Sequence, residues 1–228
     1  MKSVLKLYLI FILTAKIFAQ NPVEVKLSEA SVIFSIGPQP AISSEFTNVS
    51  QIEVMRAFEK HMKHYKAKVK STKRETIASS AKINSINNKP INVFCAYKEE
   101  SFGKKITAYF AFNINGTFIS SDTHPSEFEA ARQFVYDFTY KFYNDQYALK
   151  LKNAFKDLKN LEKENKNLLK EKAKLEKAID KNKNNKEALK KAELLLIKNK
   201  SNLDQNKRAL ENQKQFIQKN QAEGKLKN

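Results

Sequence analysis

Leucine recurs every seven residues through the last third of this sequence, and no other feature constrains the fold as strongly. The series comprises Ala154, Leu161, Leu168, Leu175, Leu189, Leu196, Leu203, Leu210 and Ile217, and only Asn182 interrupts it. Leu151, Leu158 and Ile179 fill part of a companion position three residues earlier. A seven-residue repeat keeps its apolar side chains on one side of a helix. The sequence therefore predicts a long basic coiled-coil helix over residues 145–221, with these twelve residues as its seam.

The companion position is otherwise polar. It holds Asn165, Lys172, Lys186, Glu193, Lys200, Lys207 and Lys214. A seam with so many polar positions weakens any single dimer and specifies register or partner instead. The alternative is a single charged helix lying along another structure.

The polar segment 180–185 leaves two arrangements open. It could turn and fold the helix into an antiparallel hairpin. The leucine spacing passes through it without a skip, which favours a continuous rod. At 1.5 Å per residue such a rod over residues 146–221 would be about 110 Å long.

The preceding residues 20–144 have a different composition, rich in aromatic and β-branched side chains and in turn signals. This pattern predicts a small α+β domain, namely an antiparallel sheet with helices on one face, as in TATA-box-binding-protein-like or helix-grip folds. The predicted strands are 23–27, 31–36, 67–71, 76–83, 91–97, 106–114 and 117–121. Asn115-Gly116 predicts a tight hairpin turn, because both residues tolerate positive φ.

Two capping boxes predict the starts of helices in this domain. Ser50 with Glu53 opens the first helix, and Ser126 with Glu129 opens the second. The apolar stripe expected on the first helix is Ile52, Met55, Phe58, Met62 and Tyr65. The second helix is expected to lie on the sheet through Phe128, Ala131, Val135, Phe138 and Phe142.

The first nineteen residues have the layout of a secretory signal peptide. Lys2 and Lys6 precede an apolar run over residues 7–13, and Ala19 ends the segment. The run is shorter than a bilayer span requires, so we expect cleavage after Ala19 rather than an uncleaved anchor. The mature chain is expected to be exported, periplasmic or secreted, without a transmembrane span, and to end in a disordered tail over residues 222–228.

The formal charge of +18 is concentrated in the C-terminal part. Residues 146–228 contain 22 lysines and one arginine against 11 acidic residues. Such a surface suits a polyanion, which could be anionic lipid, acidic polysaccharide or nucleic acid. Specific nucleic-acid recognition is disfavoured, because it prefers the bidentate fork of arginine.

Few residues suggest chemistry. The single cysteine, Cys95, excludes an internal disulfide framework and fits a buried strand position better than a nucleophile. His61 and His64 are spaced to share a metal, but the sequence places no third ligand beside them. His124, next to Pro125, fits a loop. We therefore predict no catalytic, cofactor-binding or metal-binding residues.

The layout resembles uncharacterised exported proteins of Bacteroidetes-type bacteria. The resemblance rests on the ending Phe18-Ala19-Gln20, the segment 108–112 followed by Asn115-Gly116, the His124-Pro125 entry to an aromatic helix, and the Lys/Leu repeat. It implies an envelope or periplasmic setting and no known activity.

Three functions are compatible with these features. The leading hypothesis is an exported, non-enzymatic interaction or structural protein of the cell envelope, whose α+β domain is presented on an oligomerising or docking coiled coil. The second is a polyanion-binding protein that uses the lysine-rich helix. The third is an enzyme with a site in the α+β domain.

Overall fold

A computed structural model describes residues 25–100 and 105–225 of the chain, so the segment interpreted as a signal peptide lies outside the described residues. These residues form two compact units, 25–145 and 146–225. The strands are β1 (Leu27–Phe34), β2 (Gly37–Thr47), β3 (Lys68–Ser71), β4 (Glu75–Ala81), β5 (Ile91–Glu100), β6 (Lys105–Ile114) and β7 (Thr117–Phe118). The helices are α1 (Gln51–His64), α2 (Pro125–Lys181) and α3 (Lys186–Lys225).

The first unit contains one seven-stranded sheet with the strand order β1-β2-β6-β5-β4-β3, and β7 pairs with the end of β6. Every pairing is antiparallel. Together with the helices this confirms the α+β class expected from the sequence.

The N-terminal hairpin differs from the prediction. One strand, β1, replaces the two short strands expected over 23–27 and 31–36, and β2, which contains Pro38 and Pro40, occupies a segment for which no strand was predicted. Both prolines pair only with β1, because β2 gains its second partner, β6, from Ile42 onward. Proline is tolerated where a strand is an edge, since the missing N–H then breaks no ladder.

Helix α1 begins as the sequence predicts. The Ser50 hydroxyl accepts from the backbone N–H of Glu53, and the Glu53 carboxylate accepts from the backbone N–H of Ser50, which completes the capping box. The buried stripe is shifted from the expected one. It comprises Val54, Phe58 and Met62, whereas Ile52 is 54% exposed.

The turn between β6 and β7 also matches its prediction. Asn115 and Gly116 both have positive φ, at 51° and 92°. The side chain of Asn113 accepts from the Gly116 N–H at 3.1 Å and closes the turn.

Helix α2 begins one residue before the expected capping box. Pro125 is its first residue, and the carbonyl of His124 accepts from the Phe128 N–H at 2.8 Å. Proline suits this position because its missing N–H would have no helical partner. Ser126 therefore lies inside the helix, and the prediction that it is the N-cap is wrong. The predicted apolar face is confirmed, since all five of its residues are buried.

The main core lies between the sheet and the helices of the first unit. Phe58 of α1 meets Phe110 of β6 and Phe138 of α2 edge-on, with ring centroids 5.3 and 5.5 Å apart. Burying such large aromatic rings supplies most of the hydrophobic stabilisation of a unit of this size.

The second unit is a helical hairpin, not the continuous rod favoured by the leucine spacing. The chain turns at residues 182–185. The Asn182 side chain donates to the Ala178 carbonyl at the end of α2. The Asn185 side chain accepts from the Ala188 N–H and caps α3. Polar side chains of this kind satisfy the groups that helix ends leave unpaired.

Candidate functional site

The helical hairpin contains all twelve of the residues expected to form the seam. Ala154, Leu203 and Ile217 are buried, and the other nine are half-buried. Those on α2 are Leu151, Ala154, Leu158, Leu161, Leu168, Leu175 and Ile179, and those on α3 are Leu189, Leu196, Leu203, Leu210 and Ile217. The hairpin therefore brings the two halves of the repeat together within one chain.

Side-chain amides fix how the two helices face each other. Asn199 donates to the main-chain carbonyl of Leu168, and Asn206 donates to that of Leu161, both at 3.3 Å. Gln213 donates to the carbonyl of Ala154 at 2.8 Å. Each step of seven residues along α3 is thus matched by a step of seven back along α2, which defines an antiparallel register.

Two glutamates reinforce this register. The same amide nitrogens of Asn199 and Asn206 lie 3.0 and 3.1 Å from carboxylate oxygens of Glu171 and Glu164, respectively. Lys150 lies over the ring of Phe216, 5.2 Å from its centroid, near the open end of the hairpin. Hydrogen bonds to charged groups are stronger than neutral ones, so Glu164 and Glu171 strengthen the polar contacts between the two helices.

For α3, the companion position was predicted on the wrong side of each leucine. The five residues of α3 that were expected at this position are all exposed, namely Lys186, Glu193, Lys200, Lys207 and Lys214. The inner positions come three residues after each leucine and hold Ala192, Asn199, Asn206, Gln213 and Asn220. We call the last four the amide row. Its seven-residue spacing is visible in the sequence and was the signal that could have identified it.

A pocket of about 360 Å³ lies on the first unit, at the sheet face opposite the main core. Phe34 and Ala41 of the first hairpin cluster there with Phe94 and Ala111, and the rings of Phe34 and Phe94 meet edge-on at 6.2 Å. The pocket walls combine apolar and charged side chains, among them Ile77, Ala96, Lys70, Arg74 and Glu75.

Glu75 is the buried charged group of this pocket, with only 7% of the residue exposed. Its carboxylate accepts from the backbone N–H of Ser35 at 2.9 Å and from the Ser35 hydroxyl at 2.7 Å. These bonds tie the β1–β2 turn to β4 across the sheet face. The carboxylate is therefore engaged in structure, whereas Lys70 and Arg74, which also line the pocket, are exposed.

The residues considered for chemistry lie apart from this pocket. Cys95 is buried in the main core, as expected, and burial raises the pKa of its thiol, which keeps it protonated. The His61 ring packs against Tyr65, Phe134 and Phe138. His64 is exposed and bonds the carbonyl of Lys60. His124 is bonded to the Thr123 hydroxyl in the loop before α2.

Two properties of the described residues bear on cofactors and membranes. Among residues 25–100 and 105–225, no group of three or more histidine, cysteine or acidic side chains is arranged to hold a metal ion. Within the same ranges, no helix combines the length and apolar character that crossing a membrane requires.

Comparison of this chain with protein-family models, with curated proteins and with solved structures found no match.

Proposed function

We propose that this chain is an exported, non-enzymatic interaction protein of the cell envelope, in which the helical hairpin is the docking element. Export is supported by the signal-peptide layout of residues 1–19. The α+β unit is proposed to be the part that meets or packs against a partner. Its antiparallel sheet with helices over one face supports a TATA-box-binding-protein-like or helix-grip-like architecture.

The observation that carries this proposal is the closure of the leucine repeat within one chain. A leucine repeat that required a second copy of the chain would leave its apolar side uncovered in the single chain. Here α3 covers α2, and side-chain amides of α3 donate to main-chain carbonyls of α2. Self-association through the leucines is therefore not the role we propose. The hairpin instead acts through its outer surface, as an intramolecular two-stranded coiled coil.

Solution mass tests this proposal. The full-length chain is expressed in a bacterium with two membranes, recovered from the periplasmic fraction, and its N-terminal residue and its mass by light scattering are determined. We expect a chain that begins at Gln20 and a monomer at both low and high salt. A salt-stable dimer or trimer would contradict the proposal that the hairpin does not serve self-association, and an unprocessed cytoplasmic chain would contradict export.

Polyanion binding is the second candidate, and the charge of the hairpin favours it. Residues 146–228 hold 22 lysines and one arginine against 11 acidic residues. This candidate predicts affinity for an anionic matrix that falls steeply with added salt, because released counterions supply the binding free energy. Retention that does not change with salt would reject it.

An enzymatic role could use the pocket beside Glu75. The Ser35 bonds already occupy this carboxylate, so it is not poised as a general base. Turnover of a small molecule that is lost in Glu75→Gln, with folding retained, would favour the enzyme over the interaction protein.

A further inference from the structure

We propose that the outer face of α2 is a docking surface for an anionic lipid bilayer. The inference rests on the proposed docking role of the hairpin, and it specifies which helix surface docks and what it docks to. It starts from six lysines that recur at alternating intervals of four and three residues. We call them the lysine row: Lys152, Lys156, Lys159, Lys163, Lys166 and Lys170.

The spacing places the row on a single side of the helix. Intervals of three and four residues keep side chains on one helical face, and all six lysines are exposed. The seam residues occupy the other side and are buried or half-buried. At 1.5 Å per residue the row extends for about 27 Å, with a positive charge roughly every 5 Å.

Acidic side chains stay out of the row. Between residues 152 and 170 they are Asp157 and Glu164, at positions closer to the seam, and Glu162, which lies at the edge of the row one helical turn from Lys159 and Lys166. Glu164 is bonded to Asn206 of α3. Among the described residues none of the six lysines forms an ion pair with a neighbouring side chain. Their charge is therefore available to an external partner.

The corresponding side of α3 has no such row. Its outward positions at the same spacing include Lys190 and Arg208 but also Asp204 and Glu211, and the others are uncharged. Residues 146–181 and 186–225 each carry a net charge of +5, so the two helices differ in how their positive charge is arranged and not in its amount. A one-sided distribution suits a flat anionic surface, on which all six lysines can rest at once.

Exposed apolar side chains border the row and favour lipid over a linear polyanion. Phe155 is 46% exposed and Leu169 is 48% exposed, each within four residues of two lysines of the row. At a bilayer, such side chains enter the boundary between headgroups and acyl chains while the lysines stay at the headgroups. A polysaccharide or nucleic acid offers no apolar layer of this kind.

Vesicle binding by two matched variants tests the proposal. The first, K156Q/K159Q/K163Q/K166Q, neutralises the centre of the row. The control, K190Q/K191Q/K198Q/K200Q, removes the same charge from exposed positions of α3. Glutamine keeps helix propensity close to that of lysine, and circular dichroism confirms that both variants fold.

Sedimentation with vesicles that contain phosphatidylglycerol in phosphatidylcholine gives the readout. We expect the full chain to bind in proportion to the phosphatidylglycerol fraction and to be released by salt. Each lysine at an anionic bilayer contributes about fivefold in partition, so the α2 variant should lose on the order of 100-fold or more and the control far less.

Each other outcome overturns the inference. Equal losses in both variants would mean that only total charge matters, which rejects the lysine row but leaves polyanion binding in place. Failure of the unaltered chain to bind any vesicle, with retention on a heparin matrix, would reject the bilayer and favour a linear polyanion. If the unaltered chain binds neither the vesicles nor the heparin matrix, polyanion binding is rejected as well. The proposed docking protein is tested independently by its solution mass and by its N-terminal processing.

Discussion

The side-chain amide of Asn206 donates to the main-chain carbonyl of Leu161 over 3.3 Å and joins two helices at positions 45 residues apart. The same bond is repeated seven residues earlier on α3, between Asn199 and Leu168. A buried amide between helices stabilises one register at the expense of others, because a shifted helix would leave it without its acceptor. The amide row therefore specifies the hairpin more than it strengthens it.

Replacing both amides tests this role. In Asn199→Leu combined with Asn206→Leu, more apolar surface is buried, so we expect the thermal midpoint of the hairpin to rise by several degrees. The specificity should fall at the same time, because leucines pack against many partners. Light scattering should then show dimers or larger species beside the monomer.

The control replaces two exposed asparagines of the hairpin, one on each helix. Asn167→Leu combined with Asn212→Leu adds the same two leucines at exposed positions. We expect a monomer with little change in thermal midpoint. If the control oligomerises as the first variant does, added hydrophobicity rather than the lost amides explains the effect.

The seam leucines are expected to hold the hairpin together. Leu203 is 5% exposed, so Leu203→Asp would bury a charge without a partner and cost about 3 kcal/mol or more. Far-UV circular dichroism should show a large loss of helix. Ile197→Asp, at a residue that is 65% exposed, is the control and should retain the helical signal; equal losses in the two variants would argue against the seam.

In the helical hairpin the seven-residue repeat was predicted correctly, but the path of the chain was not. Leu175 and Leu189 are fourteen residues apart, so the reversal between them leaves the leucine spacing intact. The reversal of the chain is visible in the companion position, which precedes each leucine by three residues on α2 and follows it by three on α3. A continuous helix would keep it on one side.

The α+β unit shows the same limit of local information. Helix α1 and the turn at Asn115-Gly116 follow from short-range signals, and both were predicted. Strand β2 was not predicted, because proline within a segment argues against a strand with partners on both sides. Its two prolines are tolerated because they pair with β1 and with no second strand. The pocket depends on Ser35 meeting Glu75, 40 residues away, and no spacing in the sequence encodes that contact.

The bonds between Glu75 and Ser35 should hold the first hairpin against the sheet. In Glu75→Ala both acceptors are removed and the Ser35 N–H and hydroxyl lose their partner, at a cost of about 1 to 3 kcal/mol. Hydrogen exchange of the Ser35 N–H should accelerate. Ser35→Ala, which removes only the hydroxyl, should have the smaller effect; unchanged exchange in both variants would contradict the tether.

His61 should make the stability of the α+β unit depend on pH. Its Nε2 atom is buried and has no hydrogen-bond partner among the described residues. Burial, followed by the nearby charges of His64 and Lys141 and opposed by Asp137, lowers the pKa of His61 to about 4 from 6.5. The neutral ring is thus the form that fits between α1 and α2 at neutral pH.

The sign of the effect follows from proton uptake. Above pH 6.5 the ring is neutral in both the folded and the unfolded chain, so it contributes no pH dependence. As the pH falls from 6.5 towards about 4, the unfolded chain takes up a proton that the folded chain does not. The free energy of unfolding should therefore fall over this window, by about 2 kcal/mol for a ring that is only partly buried.

Urea unfolding at several pH values, combined with an NMR titration of the histidine rings, measures this directly. Glu53, whose pKa is lowered by its bonds to Ser50, also destabilises the fold as the pH falls, so the comparison must be between variants. His61→Phe should flatten the pH dependence between 6.5 and about 4, whereas His64→Gln, at an exposed site, should leave most of it. A His61 ring that titrates near its ordinary value in the folded chain would show that the ring reaches water and that the aromatic cluster does not enclose it.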